Sequence, residues 1–354
     1  MRYRFAAPIL LVCLVLTPGP AVASSARNAF RTPPFVREAV SFVVTNPMDP
    51  LATYTVRGRL IRPKAGCTMS VLLALHGLSY DQRAWDFPIR PKQYSVAEAL
   101  ARRGHALLAI DRLGYGRSSG EGSPDQPNGY TLTVEGYADM TAQIIEQLRA
   151  GTYAAKRPSA FGRVGLIGHS AGSEIAELTA ALNPGLVDVL IPTAYTHEPW
   201  VNNEWLVASW VPDNLAAAQS DYVYFEDNPQ RRAAEMYHLP HADRDVVAWD
   251  NRHAHLTPSG EIFSIGSQPS RFLLPLITVP VLLVLAENDT LFPASFGDEE
   301  LLWFQGTDDL ELLVVPRAGH TFMLHRGAGA TNARIAGWLD ARFPKCAART
   351  AIPY

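Results

Sequence analysis

Val164-Gly165-Leu166-Ile167-Gly168-His169-Ser170-Ala171-Gly172 is the stretch on which the reading of this chain turns. Four residues with the apolar, β-branched look of a buried strand run into Gly-x-Ser-x-Gly, and a helical pattern continues to Leu182. The pentapeptide alone occurs by chance. Between a strand and a helix it predicts a tight turn that strains the serine backbone, and its two glycines leave room for that turn. The helix N-terminus beneath Ser170 favours developing negative charge, and the Ala171 N–H can donate to it.

A serine hydroxyl is a poor nucleophile at neutral pH and needs a base. Of the ten histidines, His320 in Ala318-Gly319-His320 follows the apolar strand Leu310–Val315, at the carboxyl edge where Ser170 also falls. A base needs a carboxylate to orient it. Asp289 follows the strand Val279–Leu285 at the same edge, and Glu287, two residues earlier, and Glu198, past the strand Val187–Ile191, are the alternatives. An oxyanion needs two converging N–H donors. Ala171 supplies one, and Leu78, in the Leu75-His76-Gly77-Leu78-Ser79-Tyr80 loop, is the expected second. The side chain of Ser79 or Tyr80 is a possible further donor.

Outward from this centre, short strands alternate with helices. Strand signals fall at 39–44, 54–61, 71–75, 105–110, 163–167, 187–191, 279–285 and 310–315, and helical spacing at 95–103, 133–150, 170–182 and 331–343. The pattern predicts an α/β fold, with a mostly parallel twisted sheet of about eight strands and helices on both faces. Residues 196–275 interrupt the alternation and carry Trp200, Trp205, Trp210, Tyr222, Tyr224, Phe225, Tyr237 and Trp249. Too long for an ordinary loop, this segment reads as an inserted helical cap or lid, and its aromatics in part form its own small core. His238, His241, His253 and His255 lie within it without a matching cysteine or carboxylate pattern, and Pro240 interrupts any regular helix there. No metal and no organic cofactor is expected.

Composition sets further bounds. The 354 residues are 47% hydrophobic and 18% charged, ordinary for a globular protein with a large core. A net charge of −3 gives no electrostatic reason to expect nucleic acid as a partner. At the N-terminus, Arg2 and Arg4 precede an apolar run from Phe5 to Leu16, a Thr17-Pro18-Gly19-Pro20 break and Ala21-Val22-Ala23. That is the pattern of a secretory signal peptide over 1–23, followed by an arm over 24–36. Its loss takes two positive charges and no acid, so −3 becomes −5. The run is short for a membrane span, and the mature chain is expected to be secreted without one.

Five segments stand in a telling order: the strand-His76-Gly77 loop, Asp111-Arg112-Leu113-Gly114-Tyr115-Gly116-Arg117-Ser118, the serine elbow, Glu287-Asn288-Asp289 with Pro293, and Gly319-His320. In this order the chain resembles the α/β-hydrolase superfamily over roughly residues 37–345. The resemblance implies a core of 37–195 and 276–346, a tail over 347–354, and the chain order Ser170, Asp289, His320 that this fold uses. It also implies a structural rather than catalytic Asp111. Relatives with an aspartate nucleophile, such as epoxide hydrolases, are set aside by Ser170, and Ala171 stands where proline-specific aminopeptidases usually carry Trp. The expected activity is hydrolysis of a moderately hydrophobic ester or lactone. Carbon–carbon bond hydrolysis, amide hydrolysis, cofactor-free perhydrolysis and a non-catalytic binding role are the alternatives. The fold further implies that Cys67 and Cys346 reach one edge of the sheet, where a disulfide between them is expected; two separate thiols are the alternative.

Overall fold

The computed structural model describes residues 34–64, 69–198, 208, 210–225 and 228–343. The expected signal peptide over 1–23, Cys67, Cys346 and the 347–354 tail lie outside them. The central sheet has nine strands: β1 (Phe35–Asn46), β2 (Asp49–Pro63), β3 (Ser70–Leu75), β4 (Ala106–Asp111), β5 (Ala154–Ala155), β6 (Arg163–His169), β7 (Leu190–Thr193), β10 (Val281–Ala286) and β11 (Leu310–Val315). Their order is β11-β10-β7-β6-β3-β4-β2-β1-β5. From β11 to β4 every pairing is parallel, whereas β2, β1 and β5 add on antiparallel. The sheet is therefore mixed, with one more strand than the sequence pattern predicts. The addition, a two-residue pairing with Val40 and Ser41, is too short to leave a periodic signal.

β3, β4 and β10 are buried at every position, as parallel strands covered on both faces must be. Helices α1 (Pro91–Tyr94), α2 (Val96–Arg102), α3 (Val134–Ala150), α4 (Ala171–Leu182), α9 (Gly297–Leu301) and α10 (Ala328–Arg342) surround the sheet, with α3 packed on α4 and α2 on α10. Thr133 caps α3 by accepting from Gly136 N–H, and Gly151 ends it at φ 69°. The last helix begins at Ala328, three residues before its apolar spacing predicts, because its first turn is made of small residues that carry no apolar spacing.

Between β7 and β10 the chain forms α5 (Val211–Ala217), α6 (Pro229–Met236), α7 (Arg244–Asn251), α8 (Ser259–Ile265) and a two-stranded antiparallel pair, β8 (Tyr222–Val223) with β9 (Thr257–Pro258). The segment thus contains strand as well as helix. Trp210 and Phe225 pack edge to face at 4.9 Å within it. No helix among the described residues is long and apolar enough to cross a membrane.

Candidate active site

Ser170 occupies the turn from β6 into α4 with φ 53° and ψ −124°, a conformation costly for any residue with a Cβ. The turn is over-determined from outside. Ser170 N–H donates to Thr193 O (2.9 Å), and Ser173 N–H donates to Ser170 O (2.7 Å). A side chain on Gly172 would meet Leu75 O at 2.3 Å, so α4 can approach β3 this closely only with glycine there. Ser170 precedes the first residue of the helix, yet its hydroxyl makes no capping bond. The hydroxyl is left for other chemistry, and the residue retains 9% exposure against 1% for His320 and 3% for Asp289.

The strands β3, β6, β10 and β11 run parallel, so the loops leaving them emerge at one edge, and these loops carry Leu78, Ser170, Asp289 and His320. His320 Nδ1 donates to Asp289 Oδ2 at 2.9 Å. Asp289 Oδ1 accepts from the N–H groups of Leu291 (2.9 Å) and Phe292 (3.1 Å), which fixes the carboxylate. The His320 ring lies between Phe292, stacked at 5.7 Å, and His169 at 4.8 Å, next in chain to Ser170. With Nδ1 held by Asp289, Nε2 is the nitrogen available for proton transfer. The other two carboxylates are engaged elsewhere. Glu198 accepts from Arg271 (3.0 Å) and the Trp303 indole (3.4 Å), and Glu287 accepts from Arg317 N–H (2.7 Å).

Ser79, next to Leu78, sits at φ 59° with every polar group bonded to the segment between β7 and β10. Its N–H donates to Thr257 Oγ1 (3.1 Å), its carbonyl accepts from His255 N–H (2.9 Å), and its hydroxyl accepts from Arg232 (2.6 Å). The Arg232 guanidinium, buried, lies 4.6 Å over the Tyr80 ring and bonds Asp250, which also accepts from Tyr80 OH (3.0 Å). Ser79 is therefore an acceptor for Arg232 as well as a potential donor, and the Tyr80 hydroxyl is taken by Asp250. Among the described residues neither Leu78 N–H nor Ala171 N–H has a protein acceptor. Arg232 had no sequence signal: it stands in an Arg-Arg pair on an ordinary surface-like helix.

The histidines of that segment are each engaged. His238 and His241 stack at 5.4 Å, His253 stacks on Trp249 at 3.8 Å, and His255 bonds Asp81 (2.9 Å). His325 joins the segment to the His320 loop: its Nε2 accepts from Gly319 N–H (3.0 Å) and His238 N–H (2.9 Å), and its Nδ1 donates to Thr321 O (2.9 Å). Burial lowers its pKa to about 4, in keeping with a neutral ring that accepts two bonds. At the other end of the site Asp111 accepts from Gln82 N–H, Gln82 Nε2 and Arg117 N–H, each at 2.9 Å, and so ties down a turn. Burial and the neighbouring Asp81 push its carboxyl up to about 6. Arg112 and Tyr115 both donate to buried Glu261 of α8.

An elbow serine, an aspartate-held histidine and a six-strand parallel sheet with their loops at one edge define a hydrolase of the α/β class. The chain belongs to the alpha/beta hydrolase family, whose model matches residues 71–333. Within that family it is similar to a serine hydrolase-like protein of Dictyostelium discoideum, at 30% identity over 120 residues. That match spans 34% of this chain and 27% of the relative, about a quarter of the latter's length. Among solved structures, an esterase from Thermogutta terrifontis superposes with a TM-score of 0.59 at 17% identity, over 86% of this chain and 99% of that one. A monoacylglycerol lipase from Paleococcus ferrophilus superposes at 0.57 and 17% identity, over 80% and 99%. Identities this low speak for the fold alone.

Proposed function

We propose that this chain is an exported serine hydrolase that cleaves carboxylic esters or lactones through an acyl-enzyme on Ser170. The observation that carries the reading is the strained Ser170 turn at the same sheet edge as the buried Asp289–His320 pair. Ser170 Oγ attacks the substrate carbonyl while His320 Nε2 takes the hydroxyl proton. Asp289 keeps the other ring nitrogen protonated and steadies the imidazolium that forms. The oxyanion is received by the N–H groups of Leu78 and Ala171, helped by the N-terminus of α4. His320 returns the proton to the leaving alcohol, then activates the water that releases the acid. Residues 196–275 serve as a cap over the acyl or alcohol group, and their aromatic content favours a moderately hydrophobic substrate. Export rests on the charged, apolar and small-residue order of the first 23 residues.

The test is turnover of para-nitrophenyl esters from acetate to palmitate, and of a lactone panel, by mature protein and by Ser170→Ala. Hydrolysis that vanishes in the variant is the expected result, and the chain-length profile sizes the site. Equal turnover by both proteins, or failure of a fluorophosphonate to label Ser170, would overturn the reading.

A further inference from the structure

Behind the candidate active site, α4 carries Glu174 and Glu177 three residues apart, hence on one face. Opposite them stand His197, Ser270 and Glu300, and all five residues are fully buried. Glu300 grips His197 twice, accepting from Nδ1 (2.7 Å) and from the backbone N–H (2.8 Å). That grip holds a proton on Nδ1 and turns Nε2 toward Glu174 Oε2 (3.4 Å), Glu177 Oε2 (3.7 Å) and Ser270 Oγ (2.8 Å). Ser270 reinforces the arrangement by donating its N–H to Glu174 Oε1 (2.7 Å) and its hydroxyl to Glu177 Oε2 (2.9 Å).

Two features of this cluster do not fit a finished hydrogen-bond network. Glu177 Oε1 is a buried carboxylate oxygen without a hydrogen-bond donor, and Glu174 Oε2 is matched only by the long 3.4 Å ion pair with His197. Three ionised carboxylates against one imidazolium would also leave two net negative charges in a site closed to water, which burial disfavours strongly. Protons or a cation must make up the difference. The geometry suits a cation. One ligand atom each from Glu174, Glu177 and His197 fall within 4.8 Å of one another. Atoms bound tetrahedrally at about 2.0–2.2 Å from one centre stand roughly 3.3–3.6 Å apart. A carboxylate that holds the far nitrogen of a histidine is the usual outer support of such a ligand.

We propose that Glu174, Glu177 and His197 bind one divalent ion of the zinc or manganese type, with Glu300 orienting the imidazole and Ser270, bonded to both His197 and Glu177, steadying the ligands. The donor set of one imidazole and hard oxygens suits these ions. Every ligand is buried away from solvent, so the ion acts structurally. It would lock α4 to the segment after β7 and to α9. Tyr195 then passes the rigidity on, packing on His197 (5.2 Å) and on Phe292 (4.9 Å), the ring that faces His320. With no exposed ligand, the ion enters during folding and resists removal by chelators from the folded chain.

The experiment is elemental analysis of the full mature chain, purified without an affinity metal, followed by unfolding in guanidinium with EDTA and refolding with or without zinc or manganese chloride. One equivalent of zinc or manganese in the purified wild type is the expected result, with only traces in Glu177→Gln. The refolded metal-free protein should melt roughly 5–10 °C lower, with recovery when the ion is present during refolding. Trace metal in the wild type would overturn the site and leave a network that shares protons. So would a melting point indifferent to both ions. The readouts are metal content and melting, so they stand whether or not Ser170 proves to be a nucleophile.

Discussion

Three acids competed for one histidine, and a single contact separates them: Asp289 bonds His320 Nδ1, while Glu198 and Glu287 face a guanidinium and a backbone amide. Asp289→Asn keeps the size but presents the wrong hydrogen-bonding group to the ring, and kcat should fall about 10⁴-fold with the melting curve little changed. Glu198→Gln should leave kcat within about twofold, since it trims only a partly exposed ion pair; steady-state kinetics on the best ester checks both. Ser170, Asp289 and His320 could be picked out from sequence because each follows an apolar strand within a short motif. Glu174, Glu177, His197, Arg232 and His325 could not. They come from segments far apart in the chain, and what unites them is burial, which a lone polar residue on an amphipathic helix does not announce.

At the scale of elements, the parallel half of the sheet was readable because its strands are apolar throughout. The two-residue β5 was not, and neither was the β8–β9 pair, which is too short for period-two alternation to emerge. The contact between the β3 loop and the following insertion was equally hidden. The Ser79 left-handed backbone beside Leu78 is held by Thr257, His255 and Arg232, so α6 and β9 set the position of the candidate oxyanion donor. Ser79→Ala removes one of three bonds and should lower kcat roughly tenfold while KM changes little. Arg232→Met leaves Asp250 with the Tyr80 hydroxyl but no buried countercharge and removes the donor to Ser79, and it should cost about 3 kcal/mol of stability in denaturant unfolding. Equal loss of kcat and gain in KM for Ser79→Ala would instead place this loop in substrate binding.

For the molecule as a whole, pH is the revealing variable. His76, His169 and His325 are buried, and desolvation holds each below its ordinary pKa, His325 at about 4. Below about pH 6.5 the unfolded chain takes up protons on these rings that the folded chain refuses, so stability falls as pH drops toward 4. Unfolding free energy should therefore fall between pH 7 and pH 5. His325 should account for about 2 kcal/mol of that fall, and His325→Gln should flatten the profile by that amount. An identical slope in the variant would assign the acid sensitivity to the other two rings.

The described part of the insertion between β7 and β10 is joined to the core at Ser79, at the Arg112–Glu261–Tyr115 cluster and at Thr321, whose N–H and hydroxyl both donate to Met236 O. To swing aside it would have to expose two buried guanidinium groups and break bonds that fix the oxyanion loop itself. Catalysis by this chain would therefore not wait on an oil–water boundary to prise the site open. Its rate on a short-chain ester should follow the dissolved monomer smoothly, without a jump where the substrate begins to form micelles.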